Sequence, residues 1–377
     1  MSQTTEQPNN ANYFPNFYGF RLIAAFAVVA LHIQLMATRY GWGPNRYGKD
    51  LEVLSLGVDF FFILSGFLMT SLIVVALKNN SFRLSRYYLK RALRILPLYY
   101  LVVVVVFFAV NLVKIPKIES MPLERNFEEQ LSLHLLMLPQ VAKSYLPFVP
   151  YGGQLWSIGV EIMFYLFWPF LLMTRKPLLT VIAFCAINIM AKVLVVFGLG
   201  SLHPVSKFLA MSRFEVLAIG GFAYLVWDHT RADRNAGGAG TRLVRTLITI
   251  PSLAWIGILS GCVATLTCMA LIPNAVHLVA AVWFALVLLY SVNGVIRLGF
   301  LEWPVIRYLG EISYGIYVWH FLAIGAVKGI MDYYTIPLRS PFFWTSFWAG
   351  SILATIAISI ASYELLEKPI NRLRRLL

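Results

Sequence analysis

The sequence is poor in charged residues and in cysteine. Asp, Glu, Lys and Arg make up only 13% of its 377 residues, whereas hydrophobic residues make up 59% and the mean hydropathy is +0.73. This composition excludes an ordinary soluble globular chain of such length. The three cysteines have no paired spacing and no histidine at metal-ligand spacing, so neither a disulfide framework nor a zinc site is indicated.

The abundant hydrophobic residues form ten stretches, each of about 18–24 residues and long enough to cross roughly 30 Å of hydrocarbon. They predict an all-α, polytopic integral membrane protein of about ten transmembrane helices. A polar N-terminal segment (1–16) precedes a membrane domain (17–366), and a basic tail (367–377) follows it. The predicted spans are 17–38, 56–77, 92–113, 155–173, 178–198, 210–228, 248–270, 275–293, 312–330 and 343–365.

The distribution of Lys and Arg predicts the orientation. One set of alternate loops is basic, and it includes 83–94, the Gly-rich segment 231–245 and the tail. The opposite set is sparser, and its longest member, 114–154, is diluted by glutamates. Because basic loops stay in the cytoplasm, both termini are predicted to be cytoplasmic. The net charge of +14 is dispersed over short loops, so it indicates attraction to the membrane surface rather than nucleic-acid binding.

Two of these loops carry further predictions. The Gly-rich segment 231–245 is expected to be flexible. The segment 114–154 is the only long external loop, and we expect it to influence the choice of a ligand. The first sixteen residues contain no Lys or Arg and lead into a full-length span, so they are not expected to be a cleavable signal peptide.

An arginine and a histidine in the first span are the strongest sign of function. Arg21 and His32 are separated by the apolar segment LIAAFAVVAL. Eleven residues are close to three helical turns, so both side chains lie on one helix face, roughly 16 Å apart along the axis. His32 then lies inside the hydrocarbon, where an ionisable group is costly and is a functional-site hypothesis by default.

Two carboxylates are expected at a similar depth in the outer half of the membrane. Asp59 lies about 5 Å and Glu161 about 9 Å below the external edge of their spans. Isolated burial of such groups costs several kcal/mol each, so pairing with His32 in a water-accessible pocket is expected. One of the two carboxylates would hold the imidazole in the required tautomer.

Arginines gather at the opposite, cytoplasmic face. Arg91 and Arg94 are three residues apart and therefore share one side of the third helix, near the level of Arg21. Guanidinium groups bind phosphate in bidentate fashion. Together with His32 as a base, they predict a phosphorylated donor that enters from the cytoplasm, and a continuous cavity that joins the arginines to His32.

Six segments, in this order, resemble the membrane acyltransferase family 3, whose members O-acylate carbohydrates and other acceptors. The resemblance extends from the first span to the tail. The segments are FRLIAAFAVVALHI, GVDFFFILSGFLMT, RALRILPLYYL, LWSIGVEIMFYLFWP, ISYGIYVWHF and YELLEKPINRLRR.

The resemblance implies roles for the matching positions. His32 corresponds to the proposed catalytic histidine, and Glu161 and Asp59 join it as candidate catalytic residues. The motif arginines implicated in handling acyl-CoA correspond to Arg21, Arg91 and Arg94. Further candidates are Ser65, Gly66 and Phe67 for the donor, and Trp156, Ser157 and His320 for the acceptor.

These inferences predict an O-acyltransferase of the bacterial inner membrane. It would move an acyl group, with acetyl as the expected one, from cytoplasmic acyl-CoA to a hydroxyl of an envelope polysaccharide, a lipopolysaccharide or a lipid-linked sugar, without a metal. His32 would either deprotonate the attacking hydroxyl directly or carry the acyl group transiently across the membrane. Some relatives carry a C-terminal SGNH-type esterase domain. The sequence stops soon after its last predicted span, so no fused domain of this kind is expected.

Two other functions fit part of the pattern. A proton-coupled transporter also places His, Asp and Glu in one membrane layer, but it has no need of the arginines beneath them. Substrate-driven proton flux without release of CoA would favour transport. A scaffold for glycan assembly predicts that His32→Ala leaves the acyl content of the glycan unchanged.

Overall fold

The computed structural model describes residues 14–42, 52–109, 126–147, 149–232, 239–272, 275–296, 298–338, 340 and 342–375. These residues form sixteen α-helices and no β-strand. The helices are α1 (Phe17–Arg39), α2 (Leu56–Lys78), α3 (Leu84–Val104), α4 (Phe127–Leu135), α5 (Pro139–Tyr145), α6 (Leu155–Leu172), α7 (Pro177–Leu199), α8 (Pro204–Ser212), α9 (Phe214–Ala232), α10 (Ala239–Thr249), α11 (Pro251–Leu271), α12 (Val276–Val292), α13 (Pro304–Glu311), α14 (Ser313–Tyr333), α15 (Phe343–Ser362) and α16 (Lys368–Arg375). Most of the N-terminal segment 1–16 lies outside the described residues.

The predicted class, an all-α polytopic membrane protein, is confirmed. Within the described ranges, nine helical segments are long and apolar enough to cross a membrane. A tenth apolar helix, α12, has 17 residues. Each of the ten predicted spans therefore overlaps a helix, and the chain is a multi-pass membrane protein. Residues 110–113 of the third predicted span lie outside the described residues.

The third span begins earlier than predicted. Hydropathy placed its start at residue 92, but α3 begins at Leu84 and includes the basic turn before the apolar run. Arginine and lysine are good helix formers, so the helix extends beyond the part that hydropathy can detect. A π-helical turn, Val105–Ala109, follows α3 directly.

The seventh predicted span is divided into two helices. Pro251 is the first residue of α11, and Ile250 before it is extended (φ −83°, ψ 120°). Proline lacks an N–H and disfavours a helical conformation in the preceding residue, which explains the break. Because α10 is helical over Ala239–Thr249, the prediction of a flexible loop is wrong there, whereas residues 233–238 of that segment lie outside the described residues.

The external segment 114–154 also contains helices. Its described part forms α4 and α5, which pack against each other and precede α6. Residues 114–125 and 148 of this segment lie outside the described residues. The short helices place polar side chains above the outer end of α6.

The helices differ in how deeply they are buried in the bundle. In the most apolar stretch of α14, 67% of the residues are buried, against 6% for α7 and 17% for α11. α1 contacts both α2 and α14, so these three helices form the centre, and α7 and α11 lie at the periphery. The centre is therefore the part of the fold that can enclose a site.

Glycines bring α2 and α9 into backbone contact. A Cβ atom on Gly66 would overlap the carbonyl oxygen of Leu217, and one on Gly220 would overlap the carbonyl oxygen of Ile63. Small residues at a helix crossing allow such close approach within membranes. α2 is thereby fixed against α9, with its opposite side available to the site.

Candidate active site

A cavity opens at the face that the basic loops mark as cytoplasmic, and it is called the inner vestibule here. It encloses about 520 Å³. Arg21 of α1 and Arg94 of α3 meet in it, beside polar residues of the C-terminal region. Its lining residues are Tyr18, Arg21, Arg94, Glu311, Tyr314, Tyr363, Glu367, Asn371 and Arg374.

A second cavity, the chamber, adjoins the vestibule and encloses about 760 Å³. Arg21, Arg94 and Tyr314 line both cavities, so the two are contiguous at these side chains. The other chamber residues come mainly from α2 and α6 and include Ser65, Ser157 and Glu161. The predicted convergence of Arg21 and Arg94 on one space is present in the structure.

Glu161 lies on the chamber wall and accepts hydrogen bonds from two hydroxyl groups. Ser65 and Tyr165 both donate to its Oε1 atom, and their own oxygens are 2.6 Å apart. These bonds join α2 to α6 and satisfy a carboxylate in an otherwise apolar region. Glu161 and Ser65 therefore form one polar group, which faces the space lined by the arginines.

His32 pairs with a second histidine. Its Nδ1 atom lies 3.0 Å from Nε2 of His320 on α14, and the two rings are stacked with centroids 4.9 Å apart. Phe321 packs on His32 at a centroid distance of 4.4 Å. His320 is completely buried, whereas His32 is half-buried. Sequence reasoning placed His320 in the same cavity but did not identify it as the partner of His32.

The hydrogen bonds of His320 determine the tautomers of both rings. Its Nδ1 atom is 2.6 Å from the carbonyl oxygen of Tyr317, which can only accept, so Nδ1 carries a proton. In a neutral ring, Nε2 of His320 is then an acceptor, and His32 donates to it from Nδ1. The lone pair of His32 is consequently on Nε2, which is the arrangement that a general base requires.

The chamber ends before it reaches His32. Ser157 and Tyr317 line its far end, and their hydroxyl oxygens are 2.6 Å apart. The Tyr317 hydroxyl also donates to the Gln154 carbonyl oxygen over 3.2 Å. His32 is not among the residues that line the chamber. The predicted continuous cavity is thus interrupted at Tyr317, which lies between the chamber and the histidine pair. Its hydroxyl group lies at the end of the chamber, and its carbonyl group accepts the hydrogen bond of His320.

Asp59 belongs to a different group of side chains. It is completely buried and accepts from Arg213 Nη1 and from His277 Nδ1, each over 2.9 Å. Arg213 Nη2 and His277 Nε2 are 3.1 Å apart, which closes the triangle. Arg213 has a left-handed backbone (φ 43°) between α8 and α9. The sequence analysis identified neither Arg213 nor His277 as a partner of Asp59.

The prediction that a carboxylate orients His32 therefore differs from the structure. Within the described ranges, Asp59 bonds to Arg213 and His277, and Glu161 bonds to Ser65 and Tyr165. Asp59, Glu161 and His32 were predicted to lie at a similar depth in the membrane. Their side chains lie on helix faces that point in different directions, so the three groups have different neighbours. A neutral histidine holds the ring instead.

Three candidate donor-binding residues do not line either cavity. Gly66 packs against α9, and Phe67 is buried in an aromatic cluster with Phe14, Phe17 and Tyr224. Arg91 is not among the lining residues of the vestibule or the chamber, and its buried Nε atom has no hydrogen-bond partner in the described part of the chain. Gly66 and Phe67 thus shape the wall on which Ser65 lies.

A third cavity, the outer pocket, lies at the opposite face. It is a shallow pocket whose empty space, together with the open space at its mouth, is about 250 Å³, so a ligand larger than a water molecule would lie partly in the mouth. It is lined by Gln130, His134, Pro139, Lys143, Pro147, Val149, Gly152, Gly153 and Trp156. Lys143 Nζ lies 4.6 Å from the Trp156 ring centroid, and Arg213 Cζ lies 5.4 Å from it. Trp156 and Ser157 are neighbours on α6, yet Trp156 lines the outer pocket and Ser157 the chamber. These two residues lie between the outer pocket and the chamber.

Burial and charge alter two titratable groups of the outer pocket. Burial and the nearby Arg213 and Arg39 lower the pKa of Lys143 to about 8. Burial lowers the pKa of His134 to about 4, so its ring is neutral at pH 7. Among the residues that the structure describes, no three His, Cys, Asp or Glu side chains lie close enough to hold a metal ion.

Comparison with known proteins assigns the domain. A family model for an acyltransferase domain matches residues 14–364. The chain is 26% identical over 376 residues to a putative peptidoglycan O-acetyltransferase, YrhL, of Bacillus subtilis (strain 168), with coverage of 95% of this chain and 55% of the relative.

Two further relatives are also named as O-acetyltransferases. The chain is 23% identical to the peptidoglycan O-acetyltransferase OatA of Listeria monocytogenes, covering 99% of this chain and 58% of the relative. It is also 23% identical to a putative O-acetyltransferase of Staphylococcus aureus (strain COL), covering 96% and 58%. The chain thus spans a little over half the length of these relatives. No solved structure matches it.

Proposed function

We propose that this chain, which belongs to the acyltransferase family whose domain model matches residues 14–364, is a membrane O-acetyltransferase that takes its acyl group from acyl-CoA. The acceptor is a hydroxyl group of an envelope glycan. The observation that carries the proposal is a succession of contacts. Arg21 and Arg94 lead from the vestibule into the chamber, and Tyr317 at its far end holds His320, which in turn holds His32.

The vestibule provides what a polyphosphate donor requires. Arg21 and Arg94 are supplied by different helices and converge on one space at the face marked as cytoplasmic. Planar guanidinium groups form bidentate, charge-assisted hydrogen bonds with phosphate. A donor held there directs its thioester arm into the chamber, beside Ser65 and Glu161.

In the proposed reaction, His32 acts as the general base. Its Nε2 atom takes the proton of the acceptor hydroxyl while the hydroxyl oxygen attacks the thioester carbonyl carbon. The carbon–sulfur bond then breaks, and the imidazolium returns the proton to the thiolate, which yields an ester and free CoA thiol. His320 keeps the Nδ1 proton of His32 in place throughout, and the pair does not need a carboxylate for this purpose.

The proposal requires the partition at the end of the chamber to open. The Ser157–Tyr317 hydrogen bond closes the chamber toward the histidine pair. For the thioester to reach His32, these hydroxyls must separate, and binding of the donor in the chamber would favour the separation by competing for both groups.

The enzyme assay that tests this proposal uses the full-length protein in nanodiscs. We expect acetyl-CoA to release free thiol in the presence of an acceptor glycan, and the acetyl group to appear on the glycan. Absence of thiol release, together with substrate-driven proton flux in liposomes, would instead establish transport.

The acceptor can be identified from cells. Two relatives are named as peptidoglycan O-acetyltransferases, so peptidoglycan is the first acceptor to test, beside lipopolysaccharide and other envelope polysaccharides. Mass spectrometry of each glycan fraction, from cells with and without this protein, should show O-acetyl groups that depend on the protein. Identical acetylation in every fraction would contradict a glycan acceptor.

A further inference from the structure

The outer pocket combines a cation with hydrogen-bond acceptors. Lys143 provides the positive charge; it is an exposed residue and lines the pocket. The buried Gln130 donates from Nε2 to the Pro147 carbonyl oxygen over 2.6 Å, while its Oε1 atom has no partner in the described part of the chain. A buried amide oxygen without a partner is costly, so a donor on a ligand would stabilise it.

His134 adds a second acceptor to the pocket. Its Nδ1 atom is 2.7 Å from the Gln130 carbonyl oxygen and therefore donates to it. The ring is neutral at pH 7, since burial lowers its pKa, so Nε2 is left as an acceptor. An acceptor pair of this kind suits the hydroxyl groups of a sugar.

The positive charge of Lys143 is not balanced by a carboxylate within the described part of the chain. Arg213 is paired with Asp59, but no ion pair joins Lys143 to a carboxylate among the described residues. Lys143 instead lies over Trp156, where Arg213 also approaches. Both Arg213 and Arg39 act on Lys143 electrostatically and lower its pKa. Lys143 is therefore the lining cation that would attract an anion to the pocket.

The pocket also lies close to the candidate base. Lys143 and Arg39 are near enough to His32 to act on its ring electrostatically. Trp156 of the pocket is adjacent in sequence to Ser157 at the end of the chamber. A ligand in the outer pocket would therefore lie beside the turn of α6 that also forms the end of the chamber.

We propose that the outer pocket binds an acidic sugar, with Lys143 contacting its oxyanion and with Gln130 and His134 accepting hydrogen bonds from its hydroxyl groups. The oxyanion is either a carboxylate of the sugar itself or a phosphate attached to it. The assignment of this sugar as the acceptor rests on the proposed function, whereas the binding of an acidic sugar does not.

The binding experiment uses the full-length protein in nanodiscs and three probes, which are glucuronate, glucose and glucose 1-phosphate. Calorimetry should show that at least one of the two anionic sugars binds about tenfold or more tightly than glucose, which is a typical effect of one charge-assisted hydrogen bond. Comparison of glucuronate with glucose 1-phosphate identifies the source of the oxyanion. Equal binding of all three probes would overturn the proposal.

Substitutions then test the role of Lys143. Lys143→Gln should weaken binding of the preferred anionic sugar to the level of glucose, and Lys143→Arg should retain most of the binding. Lys207→Gln is the matched control, because Lys207 is an exposed lysine of α8 and does not line the pocket. Unchanged binding by Lys143→Gln would show that Lys143 only packs against Trp156, and would overturn the proposal.

A turnover experiment separates this proposal from the function on which its acceptor role rests. If the protein transfers acetyl groups, Lys143→Gln should raise the KM for an acidic acceptor and leave kcat within about twofold, as expected when only substrate binding is lost. If no transfer is observed with any acceptor, the proposed function fails, while the probe measurements still decide whether the pocket binds acidic sugars.

Discussion

The outer half of the bundle contains two polar groups that differ in what they can do. The Asp59 group is closed, because the carboxylate, Arg213 and His277 each bond to the other two. The His32 group is open, because one ring nitrogen bonds to His320 and the other keeps its lone pair. Fully paired charges stabilise a helix arrangement, whereas a neutral base with an available lone pair can accept a proton. Ionisable residues at similar depth can thus have different roles.

Removal of His32 is the sharpest test of this comparison and has the largest expected effect. His32→Ala should lower kcat by about 10²–10⁴-fold, the usual contribution of a general base. The variant should keep most of its thermal stability, since the ring is half-buried and His320 keeps its own bond to the Tyr317 carbonyl group. His229→Ala is the control, since His229 is an exposed histidine of α9. Acetyl transfer by His32→Ala at the native rate would break the comparison.

Disruption of the closed group should affect stability instead of chemistry. Asp59→Asn removes a completely buried charge that balances Arg213, which typically costs about 3–5 kcal/mol. We expect a lower melting temperature in detergent, with the kcat of the remaining folded protein changed only a few-fold. The double variant Asp59→Asn/Arg213→Gln should be more stable than the sum of the single effects implies. A large loss of kcat without loss of stability would place Asp59 in the chemistry.

In the proposed mechanism His320 positions His32, so its removal should lower kcat less than removal of His32 does. His320→Leu deletes the acceptor for His32 Nδ1 and should lower kcat by about 10–100-fold, as is common for outer partners of a functional histidine. His320→Gln can accept from His32 and donate to the Tyr317 carbonyl group, so it should recover part of the rate. The pH dependence of kcat should shift in His320→Leu and not in His320→Gln. Identical rates in both variants would contradict a role in holding the tautomer.

A similar comparison can be made in the inner half between Arg91 and Arg94, the two arginines of the RALR segment. Arg94 lines both inner cavities, whereas Arg91 lines neither. Arg94→Gln should raise the KM for acetyl-CoA about tenfold, which corresponds to the loss of one charge-assisted hydrogen bond. Arg91→Gln is the matched control and should raise this KM less. A larger effect for Arg91 would mean that the donor approaches α3 from another side.

The smallest expected effect is a pH dependence at the outer pocket. Lys143 has a pKa of about 8, and the groups that act on it are Arg213, Arg39 and the neutral His134 of the same pocket. The ammonium loses its proton as the pH rises, so binding of an acidic sugar should weaken about fourfold between pH 7 and pH 8.5. Lys143→Arg should abolish this dependence, because a guanidinium stays charged in this range. A pH-independent affinity in the native protein would contradict the role of Lys143.

The fold was largely predictable from the sequence, because long apolar runs locate membrane helices. Hydropathy could not detect the polar first turns of α3 or the amphipathic α10, since both carry basic residues. The break before α11 was also missed. Pro251 could have indicated it, because the residue before a proline avoids the helical conformation.

The site was predictable only within single helices. The shared face of Arg21 and His32, and the level of Arg94, follow from helical periodicity. The partners of His32 and Asp59 do not, because His320 is 288 residues from His32, and Arg213 is 154 residues from Asp59. Such pairs depend on the rotation and tilt of each helix against its neighbours, which no local pattern specifies.

The contact between α2 and α9 has a mechanical consequence. Gly66 and Gly220 leave no space between the two backbones, so α2 cannot rotate or slide without a steric clash. Ser65 and the wall beneath it would therefore stay in place while the proposed donor binds beside them. Any motion that admits the thioester to His32 must come from the opposite side, where Tyr317 of α14 meets Ser157 of α6 through two hydroxyl groups rather than through backbone.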